Sequence, residues 1–155
     1  MVSNLLSIDL KKAYEKQMEK LQGLTDYSVK GRYLQTSFGP VWINEVGPEG
    51  APPLIALHGL HTPAPFNLEL ILPLTQHFRV ICPDIPGQAG MTPGVAPLPS
   101  NQAYAIWLET LMDCLGIEQC PMVGLSFGGA MLLDMAVLNP QRITAASLIV
   151  PAGFS

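Results

Sequence analysis

Charge is scarce in this chain, and basic charge is scarcest: 8 Lys and Arg stand against 12 Asp and Glu among 155 residues, a net charge of −4. No basic run is longer than Lys11-Lys12, which argues against a nucleic-acid footprint or a polybasic membrane patch. Small neutral or apolar partners fit better. Cysteine is sparse too: Cys82, Cys114 and Cys120 are odd in number, lack metal-ligand or redox spacing, and lie in or beside apolar runs. They read as small buried hydrophobes in a reducing compartment, and no cluster implies a metal or an organic cofactor. The N-terminus has no basic segment ahead of an apolar block, because Leu5-Leu6 is followed at once by Asp9, Lys11 and Lys12. A cytoplasmic protein is therefore expected. Histidine is limited to His58, His61 and His77.

What the chain does have is apolar residues, 48% of the total, enough at this length for one domain with a sizeable core. Residues 122–138 are apolar enough to suggest a membrane span. They contain Gly124, Gly128, Gly129 and Asp134 and are bounded by Pro121 and Pro140, so a buried strand followed by a buried helix is the better division.

Periodicity places an amphipathic lead helix over 8–21, with Tyr14, Met18 and Leu21 on one face and Gly23 as a stop. Residues 1–26 are assigned to this helical extension and 27–155 to the main domain. Strands over 29–36 and 41–46 around Phe38-Gly39-Pro40 predict an antiparallel hairpin. The rhythm then changes to strands over 54–57, 78–82, 120–125 and 143–150, alternating with helices over 66–76, 101–115 and 127–138. Short apolar strands alternating with helices predict a mostly parallel sheet covered on both faces, an α/β fold. Residues 83–100 form a long loop rich in proline and glycine, the kind that often borders a site.

The strongest functional signal is Gly124-Leu125-Ser126-Phe127-Gly128, followed by Gly129, between the third of these strands and the helix after it. A sharp strand-to-helix turn lifts a serine hydroxyl above a sheet edge, and small residues on either side of it avoid clashes. Together with His58-Gly59 after the first parallel strand and Asp84-Ile85-Pro86-Gly87 after the second, it resembles the α/β-hydrolase fold superfamily, in particular its serine carboxylesterases. The resemblance covers residue 27 to the C-terminus. It implies that Ser126 is the nucleophile and that the Leu60 and Phe127 amides form an oxyanion hole. His58, Gly59, Gly124, Gly128 and Gly129 would support the site. Asp84, which precedes the serine on another strand, organises its loop. One departure is visible: where the family commonly has histidine after Asp-x-x-Gly, this chain reads Gly87-Gln88-Ala89-Gly90, with one additional residue.

In this fold the acid and the histidine follow the serine in sequence. Here the only later carboxylate side chain is Asp134, in the middle of the next helix, and all three histidines come earlier. Of these only His61 could sit near the mouth. The resemblance further implies a cap, two more strands and their helices after 143–150, with residues 151–155 resembling the start of the cap. The expectation is the N-terminal part of a hydrolase of small carboxylic esters, its core truncated after the strand that follows the nucleophile helix. A complementary C-terminal fragment, or self-association through an open sheet edge, would complete it. The alternative is a noncatalytic hydrolase-like fragment that serves binding or assembly.

Overall fold

A computed structural model describes residues 8–94 and 102–152. The latter part of the expected 83–100 loop, the start of the helix expected at 101, and residues 153–155 lie outside the described residues. Six strands form one sheet in the order β1-β2-β4-β3-β5-β6. β1 (Lys30–Thr36) and β2 (Gly39–Val46) make the predicted hairpin, and β2 also runs antiparallel to β4 (Arg79–Pro83). β4, β3 (Pro53–Leu57), β5 (Cys120–Leu125) and β6 (Ile143–Ile149) are parallel neighbours. The mostly parallel α/β architecture is therefore as expected.

Alternation along the strands divides the core into two layers, because successive side chains point to opposite faces of a sheet. Leu54, Ala56, Val80 and Cys82 pack on one side with Leu21 of α1 (Ile8–Gln22) and Leu68 of α2 (Ala64–Ile71). Ile55, Leu57 and Ile81 pack on the other with Trp107 and Leu111 of α3 (Ala103–Cys114) and Leu132 and Met135 of α4 (Phe127–Leu138). In α1 the buried stripe is Tyr14, Gln17 and Leu21, with Met18 beside it. Gln17 joins it because its amide donates to Glu69 on α2 at 2.6 Å, which lets a polar side chain occupy a core-facing position.

Several boundaries moved for identifiable reasons. β2 begins at Gly39 rather than at residue 41. Pro40 can join it because β4 pairs only with Ile43–Val46, so no neighbouring strand asks for the missing Pro40 N–H on that side. The helix expected over 66–76 starts earlier, at Ala64, and gives way to a 3-10 turn over Leu72–Gln76. Pro73 has no N–H to continue the α-helical ladder there. Cys82 and Cys120 are buried as expected, but Cys114 is exposed, since it closes α3 on the side turned to solvent.

Candidate active site

The chain leaves β3, passes through α2 to β4 on one side, and later returns to β5 on the other side of β3. The loops after β3 and β5 therefore diverge at the same edge of the sheet, the crevice in which open α/β sheets bind ligands. Ser126 stands there between β5 and α4, with φ 50° and ψ −110°. A non-glycine residue in this region is strained by on the order of 1–3 kcal/mol, so its neighbours must hold it. They do so through the backbone. The Ser126 amide donates to the Ile149 carbonyl at 2.9 Å, while its own carbonyl accepts from the Ala130 amide at 3.1 Å and the Ala152 amide at 3.0 Å.

The glycines of the motif are explained by close approach. A Cβ on Gly124 would lie 2.6 Å from the Gly128 carbonyl oxygen, and one on Gly128 would collide with the Leu57 carbonyl. One on Gly129 would come within 2.8 Å of Pro151 Cβ. Gly59 brings the β3 loop to the serine: a Cβ there would sit 3.6 Å from Ser126 Cβ. Leu60 follows directly, half exposed, in the turn after β3. Phe127 is the first residue of α4, so its amide is one of those without a partner inside the helix, at the electropositive end of the helix dipole.

His58 is fully buried and both of its ring nitrogens are occupied. Its Nε2 accepts from the Ile85 amide at 2.9 Å, which fixes the tautomer, and Nδ1–H donates to the Gly59 carbonyl at 2.8 Å. Burial pushes its pKa down to about 4, against the opposing pull of the Gly59 carbonyl. It is a neutral bracket between two loops, unable to take a proton from Ser126. His77 caps the 3-10 turn before β4, at the opposite end of the parallel strands. His61 is exposed near the crevice with φ 56°, and its amide donates to Gln88 Oε1 at 3.2 Å. Asp134 is exposed in the middle of α4. Among the described residues no hydrogen bond joins any of these groups to the Ser126 hydroxyl.

Asp84 is the second buried bracket. Its carboxylate accepts from the Ala64 amide at 2.9 Å, the Met91 amide at 2.7 Å and the Tyr14 hydroxyl at 2.9 Å. Burial pushes its pKa up to about 6 although all three donors favour the charged form. It thus ties α1, the start of α2 and the loop after β4 into one unit. Its partner Tyr14 in turn accepts from the Asn44 side-chain amide on β2 at 2.8 Å. The sequence pattern placed Tyr14 on a buried face but did not reveal this polar contact. Among the described residues no group of three or more His, Cys, Asp or Glu is arranged to hold a metal. No helix described is long and apolar enough to cross a membrane.

A strained serine at a strand-to-helix turn, on a parallel sheet entered through a β-hairpin, defines the class. A sequence profile of the alpha/beta hydrolase fold matches residues 52–154, and the chain belongs to that family. Among its relatives is the uncharacterized carboxylesterase nap of Bacillus subtilis (strain 168), 33% identical over 128 residues, with 79% of this chain and 41% of the relative covered. Carboxylesterase YbfK of the same organism is 32% identical over 120 residues, with 77% and 40% covered. The crystal structure of naproxen esterase (carboxylesterase NP) from Bacillus subtilis superposes with a TM-score of 0.78 at 30% identity, covering 94% of this chain and 51% of that one. The chain spans about two fifths of the length of these curated relatives and about half of the solved structure.

Proposed function

We propose that Ser126 is the nucleophile of a serine hydrolase that cleaves small carboxylic esters through an acyl-enzyme. The observation that carries this reading is the strained Ser126 backbone, φ 50°, held above the sheet edge with Gly59 packed against it. Similarity to carboxylesterases supports ester chemistry as the reaction class. In the proposed step Ser126 Oγ attacks the ester carbonyl carbon, and the negative charge that develops on the carbonyl oxygen is received by the Leu60 and Phe127 amides. The alcohol then leaves with the proton that the Ser126 hydroxyl gave to the general base, and water hydrolyses the acyl group, returning a proton to Ser126 Oγ. Losing one such amide donor typically costs about 3 kcal/mol of transition-state stabilisation. His58, Gly59, Gly124, Gly128 and Gly129 hold the two amide-bearing segments together.

The general base and the acid that orients it come, in this proposal, from polypeptide outside these 155 residues. A complementary C-terminal segment is its source, and self-association through the edge of β6 is the other route to a closed sheet. A fluorophosphonate probe tests the reading. Labelling at Ser126 should rise by two orders of magnitude or more when a complementary segment is supplied, because a serine without a base is a weak nucleophile. A chain that labels in neither state is not a hydrolase. The second reading, a noncatalytic ligand- or partner-binding protein, is favoured by one observation: both ring nitrogens of the buried His58 are already bonded.

A further inference from the structure

Two residues outside the proposed catalytic set bridge the segments that carry the two oxyanion amides. Gln88 lies in the loop after β4, where its Oε1 accepts from the His61 amide at 3.2 Å. An amide N–H can only donate, so the orientation of the Gln88 side chain is fixed by its partner. His61 shares its peptide bond with Leu60 and has φ 56°, a conformation that a non-glycine residue keeps only when held. Tyr104, near the start of α3, donates its hydroxyl to the Pro86 carbonyl at 3.2 Å, two residues before Gln88. Its ring meets Phe127 edge-on, with centroids 5.1 Å apart and planes at 89°. Burial raises the Tyr104 pKa, with the neighbouring Gln88 side chain pulling the other way.

We infer that Gln88 and Tyr104 are positioning residues that set the separation of the Leu60 and Phe127 amides, one holding the Leu60-His61 peptide and the other the Phe127 ring. This rests on the proposed role of those amides at Ser126. The bridge explains the glutamine that stands where relatives of the family commonly have histidine. A neutral side chain with an acceptor at its end can bind the His61 amide at every pH at which the protein is folded. It also makes a specific demand: an oxyanion hole built from amides on two separate loops works only if their spacing is held to a fraction of an ångström.

The test compares Gln88→Met, which keeps length but loses the acceptor, with Gln88→Glu, which keeps an acceptor for the His61 amide. Tyr104→Phe and Tyr104→Leu separate the hydroxyl from the ring. Two readouts are taken on the full chain: amide hydrogen exchange at Leu60 and His61 by NMR, and the fluorophosphonate labelling rate at Ser126. Gln88→Met should speed exchange at His61 and slow labelling, each about tenfold or more, with the unfolding midpoint nearly unchanged. Gln88→Glu should remain within about threefold of the parent in both, and Tyr104→Leu should slow labelling more than Tyr104→Phe. If Gln88→Met and Tyr104→Leu label at the parent rate while Ser126→Ala does not label, the inference falls and the hydrolase reading stands. If the parent chain does not label under any condition, both fall. Equal loss in Gln88→Met and Gln88→Glu would also overturn the inference, since the acceptor would not be what matters.

Discussion

The two flanks of Ser126 are built differently. On the β3–β4 side, His58, Asp84 and Gln88 join the loops through side-chain-to-backbone hydrogen bonds to Ile85, Gly59, Ala64, Met91 and His61. The strand residues beneath them, Ile55 and Ile81, are wholly buried. On the β5–β6 side, β6 is a sheet edge whose residues are exposed almost throughout, and Val137 of α4 beside it is 75% exposed. Backbone groups carry the chemistry proposed for the first flank, whereas proton transfer needs a side chain that these residues do not place beside the serine. In the proposed reading, the difference separates oxyanion stabilisation, assigned to this chain's own loops, from activation of the nucleophile, assigned to residues outside it. An apolar edge strand with unpaired backbone groups is also a surface that pairs readily with another strand.

The largest expected effect is on chemistry. Ser126→Ala should abolish fluorophosphonate labelling and lower ester turnover of the complemented protein by about four orders of magnitude or more. Undiminished turnover would place the nucleophile elsewhere. A paired truncation probes the structural contrast directly: Ile55→Ala, in the fully buried β3, should cost about 2–5 kcal/mol in chemical denaturation. Ile149→Ala, at a β6 residue that is 39% exposed, should cost about 1 kcal/mol or less. Equal losses would mean that β6 is covered in solution by something else.

The pH dependence sharpens the account of the well-knit flank. His58 has its pKa lowered from 6.5 to about 4, so the stability it contributes is complete above pH 6.5 and is lost as pH falls toward 4. Asp84 has its pKa raised from 3.8 to about 6, so it acts in the opposite sense and stability rises as pH falls through 6. The two nearly cancel in the parent chain. In Asp84→Asn the His58 titration is unopposed, and denaturation midpoints between pH 6.5 and 4 should fall by the equivalent of about 3 kcal/mol. A slope unchanged from the parent would show that these groups do not titrate oppositely. A smaller effect is expected at Gly129→Ala, about 1–2 kcal/mol, because its Cβ would crowd Pro151 Cβ at 2.8 Å and the Gly124 carbonyl oxygen at 3.2 Å.

Much of this was legible in the sequence because it rests on local pattern. The short apolar runs expected as strands over 54–57 and 78–82, the stop at Gly23, and the small residues around Ser126 all report what the immediate backbone needs. Pro73 was equally visible, yet its effect depends on whether the α-helical ladder continues, so the conversion of α2 into a 3-10 turn was missed. Gln17 and Tyr14 show the other limit. Each is acceptable in the core only because a partner far along the chain, Glu69 for one and Asp84 for the other, meets its polar group. Such pairings follow from the register of the fold and leave no trace in spacing. Gln88 stood out in the sequence only as a departure from the family pattern. Its bond to the His61 amide gave that departure a physical meaning.

In the proposed reading Ser126 has its oxyanion support within this chain and takes its base from outside it. The direct measurement is the fluorophosphonate labelling rate of Ser126 in the isolated chain, with and without added imidazole, followed by mass spectrometry of the labelled peptide. Slow labelling that exogenous imidazole accelerates by about tenfold or more, unaffected by His61→Ala, is the result expected of an elbow that lacks only its base. Labelling indifferent to imidazole and abolished by His61→Ala would contradict it, because the base would then lie within the chain.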